Sequence, residues 1–288
     1  MTSNLPDNIR QLRDLIVGCR LCPRRCGADR SAGEFGACRI GDEALIASAG
    51  PHFGEEPVLV GRGGSGTIFL SGCNLDCVFC QNADISHSAE GREISPAQLA
   101  DLALRLASGG CSNINFVTPT HVSHAIAEAI VLARRGGLAV PVVYNCGGYE
   151  SVETLRLLEG LVEIYMPDYK YADPAAGRYS GVDDYPSVAT AALAEMYRQV
   201  GPLDVDDCGL AAAGVLVRHL VLPGDLAHSR EVIEIVARTA PGCALNVMAQ
   251  YRPCFRAAEY PELLSRPSHE DVQSLRAYAQ SLGLQRPE

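Results

Sequence analysis

The chain has 288 residues, 47% of them apolar and 20% charged, which suits one large α/β domain or a domain with a small appendage. A formal net charge of −10 repels phosphate backbones and anionic lipid, so neither nucleic acid nor membrane is an expected partner. The opening residues, MTSNLPDNIRQL, lack the basic-then-apolar order of a signal peptide, and no apolar run approaches a membrane span, so a cytoplasmic location is expected.

Residues 1–66 combine a helix-like start, four cysteines and a Gly-rich stretch at 61–66, and read as an N-terminal extension. From residue 67 to 288 short β-branched runs alternate with helical stretches. Strands are predicted at 67–70, 113–117, 142–144, 162–165, 215–221 and 244–248. One helix opens with Ser95 as N-cap and Pro96 at the first helical position; another runs from Ser123 to a stop at Gly136-Gly137. Further helices start near Glu150, Ser187 and His228, and the last opens with a capping-box pattern at Ser268 to Asp271. Six strands alternating with helices imply a parallel sheet with its active site where the strands end. An open doubly wound sheet and a curved, incomplete barrel fit this periodicity equally.

Seven of the twelve cysteines fall in two tight groups within the first 80 residues, a pattern that in a reducing compartment points to metal. The second group is Cys73-x3-Cys77-x2-Cys80, at the end of the first strand of the alternating region. Three thiolates from one tight loop suit three corners of a cubane cluster. With no fourth cysteine in the loop, one iron stays open for chelation by the amino and carboxylate groups of S-adenosylmethionine (SAM). The competing assignments are a zinc loop or an electron-transfer cluster with a distant fourth ligand. The remaining cysteines, Cys111, Cys146, Cys208, Cys243 and Cys254, read as small buried apolar residues.

This loop resembles that of the radical SAM superfamily. GPHFGEEP from Gly50, NINFVTPTHV from Asn113, VVYNCGGYE from Val142, EIYMPDYKY from Glu163, VRHLVLPG from Val217 and NVMAQYRP from Asn246 narrow the resemblance to the pyruvate formate-lyase activating enzyme-like family. It implies a partial (βα)6 TIM-like barrel, a [4Fe–4S] cluster on Cys73, Cys77 and Cys80, and reductive cleavage of SAM to a 5′-deoxyadenosyl radical. It also implies an external one-electron reductant such as flavodoxin or ferredoxin. Phe79 matches an aromatic position beside the adenine. Asp168 and Lys170 match an Asp-x-Lys element that supports SAM binding, His219 a SAM contact, and Asn145 a contact to SAM or to a monovalent cation bridging it. The Gly-Gly-Glu that holds the SAM amino group in many activating enzymes is absent; Thr118 and Thr120 stand in its place, followed by His121, which reads as facing substrate or starting the next helix. Gln250, Tyr251 and Arg252 are placed at the barrel mouth, where an arginine suits an anionic substrate, and Glu55 and Glu56 near the pocket.

Cys19-x2-Cys22-x3-Cys26-x11-Cys38 is a complete four-thiolate set with glycines for the turns. Structural zinc and an auxiliary iron–sulfur cluster both fit the spacing; the full ligand set leaves no open site and favours a structural metal, zinc first. The expected activity is lyase- or oxidoreductase-type radical chemistry on a small molecule or peptide. The alternatives are an activase that installs a glycyl radical on a partner enzyme and a non-catalytic iron–sulfur electron carrier.

Overall fold

The computed structural model describes residues 5–287. Helix α1 (Asp7–Asp14) precedes the four-cysteine segment. The chain then runs through β1 (Ala44–His52), α2 (Pro57–Val60), β2 (Ser65–Leu70), α3 (Ala83–Ser86), β3 (Arg92–Ile94), α4 (Pro96–Ser108), β4 (Ile114–Val117) and α5 (Ser123–Arg135). It continues with β5 (Val142–Cys146), α6 (Val152–Leu157), β6 (Ile164–Pro167), α7 (Tyr185–Val200), β7 (Asp204–Val205), β8 (Ala211–Leu220), α8 (Ser229–Thr239), β9 (Ala244–Met248) and α9 (His269–Ser281).

Strands β2, β4, β5, β6, β8 and β9 pair in that order, all parallel, and they are the six strands read from periodicity. The helix starts follow the same local chemistry. Ser95 and Gln98 form a reciprocal capping box on α4, and the Ser268 side chain accepts from Asp271 N at the start of α9.

Alternation along the strands divides the core. Ile68, Leu70, Ile114 and Phe116 face outward and bury against Leu99, Ala103, Ile126 and Ile130 of α4 and α5, where each large aliphatic side chain contributes about 1.5–3 kcal/mol. On the other face Val143, Ile164, Met166, Leu216 and Ala244 converge on Val58 and Leu59 of α2. Residues from four strands meeting one short helix require the sheet to curve around it, as a partial barrel. Its ends are tied across by Asn246 of β9, whose Nδ2 donates to both carboxylate oxygens of Glu56 at 2.9 and 2.8 Å.

The sheet crosses the position between residues 66 and 67. Strand β1 pairs antiparallel with β2 along its length, and β3 pairs antiparallel with β1. Residues 44–52 therefore share the barrel's hydrogen-bonded ladder, because the exposed edge of β2 needs a partner.

Candidate active site

Strand β2 delivers the chain into the three-cysteine loop through Gly72. Its φ is +81°, and a Cβ there would stand 2.8 Å from the Cys38 carbonyl oxygen, so glycine lets the loop leave the strand against the four-cysteine segment. Cys73, Cys77 and Cys80 then line one cavity of about 260 Å³, together with Phe79, Thr118, Asn145, Asp168 and Lys170. Each thiol has a polar neighbour. Leu75 N–H donates to Cys73 Sγ at 3.4 Å, Ser180 Oγ lies 3.0 Å from Cys77 Sγ, and Ser86 Oγ lies 3.1 Å from Cys80 Sγ. Burial pushes Cys73 well above the ordinary thiol range and raises Cys77 as well. Thiols that resist ionisation in a protein pocket ionise against a bound metal centre, so the donor set fits a cluster.

The opposite wall is charged. Lys170 Nζ lies 2.6 Å from Asp168 Oδ2, and Arg218 Nη2 lies 3.0 Å from Asp168 Oδ1 and donates to Asn145 Oδ1 at 2.7 Å. Burial alone would raise the Asp168 carboxyl, but the two adjacent cations outweigh it and hold the pKa below its ordinary value. The same carboxylate lifts Lys170 against the opposing effect of burial. Where the sequence suggested a monovalent cation beside Asn145, the guanidinium of Arg218 takes both facing oxygens.

The turn after β5 is as tight. Gly148 has φ +77°, and a Cβ there would stand 2.0 Å from the Asp168 carbonyl oxygen. Thr118 is also at φ +60°, a region a β-branched residue rarely occupies. Thr118 N–H donates to Asn145 O at 2.9 Å, so the backbone takes the left-handed turn that glycine would supply, on the cavity wall.

Other expected residues stand elsewhere. Thr120 is buried outside the cavity and donates to Glu150 Oε1 at 2.5 Å, beside the Tyr144 hydroxyl at 3.1 Å. Burial pushes Glu150 up to about 7. His219 lies on the outer face of β8, with Nδ1 2.7 Å from Tyr169 O and Nε2 2.9 Å from Ser229 Oγ; the strand's alternation sends Arg218 and Leu220 inward instead. His121 packs behind the loop, with Nε2 2.8 Å from Ser71 O. Gln250 reaches the cavity, but Tyr251 is buried edge-on against Phe79 and Arg252 is exposed outside the lining. Burial raises the Glu55 carboxyl, and Glu56 serves Asn246. Of the scattered cysteines, Cys111, Cys146 and Cys243 are buried, Cys254 is partly buried and Cys208 is exposed. Cys146 borders the cavity, and Cys254 Sγ donates to Phe79 O at 3.1 Å.

Arg218 is the functional candidate the sequence reading passed over. Its signal was present in the alternation of residues 217–220, which allows only one of Arg218 and His219 to face inward.

Cys19, Cys22, Cys26 and Cys38 surround a second, much smaller pocket whose wall includes Arg30, Asn74 and His121. Arg30 is fully buried, donates to Gly41 O and lies 3.7 Å from Cys19 Sγ through Nη1. Burial pushes Cys22 up to about 12. Among the described residues, no three His, Cys, Asp or Glu side chains stand close enough to share a single metal ion, at this pocket or at the cavity.

The radical SAM superfamily profile matches residues 67–183, which span the three-cysteine loop and the ends of β4, β5 and β6. The chain is 31% identical over 281 residues to the uncharacterized protein MJ0674 of Methanocaldococcus jannaschii, an alignment covering 94% of this chain and 77% of that one. It is 27% identical over 117 residues to the pyruvate formate-lyase-activating enzyme of Listeria monocytogenes, covering 37% of this chain and 47% of that enzyme. Among solved structures, the radical SAM methyltransferase TsrM of Kitasatospora setae aligns with a TM-score of 0.45 and 16% identity, covering 64% of this chain and 36% of that one. No helix among the described residues is long and apolar enough to cross a membrane. With the profile falling on the segment that builds the cavity, and a relative aligned across nearly the whole chain, this protein belongs to the radical SAM superfamily.

Proposed function

We propose that Cys73, Cys77 and Cys80 hold a [4Fe–4S] cluster, and that the chain uses it with SAM to abstract hydrogen from a small-molecule or peptide substrate. The observation that carries this reading is the sharing of one cavity by the three thiols and the Asn145–Arg218–Asp168–Lys170 network. Bound there, cluster and SAM supply reductive cleavage to methionine and a 5′-deoxyadenosyl radical.

The residues divide the work by chemistry. Lys170 and Arg218 offer cationic donors to a carboxylate, and Asp168 orients both. Thr118 presents a backbone turn and a hydroxyl where the SAM amino group needs acceptors. Phe79, buried on Tyr251, gives the adenine a flat apolar neighbour. Ser180 and Ser86 bond the sulfurs of Cys77 and Cys80, and the Tyr171 hydroxyl lies 2.8 Å from Ser180 Oγ and orients it. The apolar side chains of Leu220, Leu222 and Met248 help exclude water from a reactive radical.

In this reading Cys19, Cys22, Cys26 and Cys38 form a second metal site, structural and with zinc as the first candidate, and binding draws together thiols that do not stand close enough to share one ion without it. It is supported by the completeness of the thiol set and by the buried Arg30 guanidinium beside the Cys19 sulfur, whose charge thiolates would neutralise. A glycyl-radical activase is the second reading, favoured by the partial match to the Listeria activating enzyme.

The test is anaerobic reconstitution with iron and sulfide, then SAM and dithionite, with 5′-deoxyadenosine, iron and zinc measured for wild type and a Cys73/Cys77/Cys80→Ala triple variant. Production by wild type alone supports the reading. A clustered wild type that neither cleaves SAM nor changes spectrum on adding it overturns the reading and favours an electron carrier. A glycyl radical appearing on a co-incubated partner enzyme selects the activase.

A further inference from the structure

Asp76 lies on the outer side of the three-cysteine loop, one residue before Cys77, and its carboxylate is 38% exposed. Three basic side chains reach it and a fourth stands nearby. Arg256 Nη2 stands 2.8 Å from Oδ2, Arg39 Nη2 3.6 Å from Oδ1, and His87 Nδ1 3.0 Å from Oδ1. Arg24 bonds the neighbouring Asn74 carbonyl at 2.7 Å, and its guanidinium shares the surroundings of Gly181 with Asp76. Three arginines around one aspartate leave a local excess of positive charge on a chain whose net charge is −10. Phe255, 46% exposed and held at φ +50°, stacks on His87 at 4.5 Å and lies under Arg256 at 5.1 Å, which puts an aromatic contact at the centre of the basic patch.

We propose that this patch is the docking surface for an acidic one-electron carrier of the flavodoxin class. The proposal rests on the radical SAM reading above and adds where the electron enters. Pinning the loop would need one arginine on Asp76; a surplus of half-exposed guanidiniums over the backbone between Cys73 and Cys77 suits a partner of opposite charge. Electron-transfer encounters are small, transient and electrostatically steered, which an aromatic centre with a cationic rim provides. In each turnover the carrier loses one electron, and the S–C5′ bond of SAM breaks to give methionine and the 5′-deoxyadenosyl radical.

The experiment uses reconstituted full-length protein and an acidic flavodoxin, with two readouts. Direct binding is measured at low and high salt for wild type, Arg39→Glu/Arg256→Glu and Phe255→Ala. SAM cleavage is driven in parallel by reduced flavodoxin and by dithionite, which needs no docking. The result expected is binding that weakens steeply with salt, at least about tenfold weaker binding and flavodoxin-driven cleavage in the charge-reversal variant, and dithionite-driven cleavage within about twofold of wild type. Phe255→Ala weakens binding without altering its salt dependence. Unchanged binding in the double variant overturns the docking site. So does an equal loss of dithionite-driven cleavage, which makes the arginines structural pins of the loop. If wild type cleaves SAM with neither donor, the radical SAM reading fails, while the binding series still decides the patch.

Discussion

Arg218 Nη2 bonds the same Asp168 oxygen that its Nε reaches at 3.1 Å, so one arginine closes the strand-end wall from β8 to the residue after β6. The pair is largely buried and part of a chain from Asn145 to Lys170. Removing the guanidinium leaves Asn145 and one oxygen of Asp168 without it. Arg218→Ala is expected to weaken SAM binding by about 2 kcal/mol, roughly thirtyfold, with iron content unchanged. Calorimetric titration of SAM into the reconstituted variant checks this; unaltered affinity removes Arg218 from the binding wall.

Thr118 holds a left-handed turn against its own preference. Thr118→Gly should raise stability by about 1 kcal/mol, or roughly 2–4 °C in Tm, while Thr118→Val keeps the strain and loses the hydroxyl. If the hydroxyl meets the SAM amino group, both variants bind SAM more weakly while their melting temperatures diverge. Paired melting and binding measurements separate the two effects.

Gly148 cannot carry a side chain, since the Cβ would stand 2.0 Å from the Asp168 carbonyl oxygen. Gly148→Ala is predicted to cost about 3–5 kcal/mol and to displace the Asp168–Lys170 segment. Denaturant unfolding measures the cost. A change below about 1 kcal/mol would show that the turn relaxes freely.

His219 is held neutral, its pKa pushed down to about 4 by burial against the raising effect of the Tyr169 carbonyl. An unfolded chain protonates this imidazole near 6.5, so below that value the unfolded state binds the extra proton. Stability is therefore full above about pH 6.5 and falls as pH drops towards 4, by about 3 kcal/mol from this group. His219→Gln should flatten that part of the stability profile and leave SAM affinity near wild type. A large loss of affinity would return His219 to the binding site.

Much of the barrel was legible because its signals are local. β-Branched runs, the Ser95 and Ser268 caps and the Gly136-Gly137 stop each act within a few residues, and all six parallel strands stand where those signals put them. The antiparallel pairing of β1 with β2 was not legible. Residues 44–52 carry no strong alternation, and their strand exists because the edge of β2 is available.

The sequence by itself determined the cysteine spacing, the order of strands and helices, and the Asp168–Lys170 pair two residues apart, because each depends on chemistry within one turn or one strand. Only the tertiary structure decided which strand-end side chains face the cavity. Thr118 turns in and Thr120 turns to Glu150; Arg218 turns in and His219 turns to Ser229. In β8 a shift of one residue would reverse the face, and that phase is set by Leu216 packing against Val58 and Leu59 of α2; Thr118 and Thr120 lie past the end of β4, in a left-handed turn and a helical turn where strand alternation no longer applies.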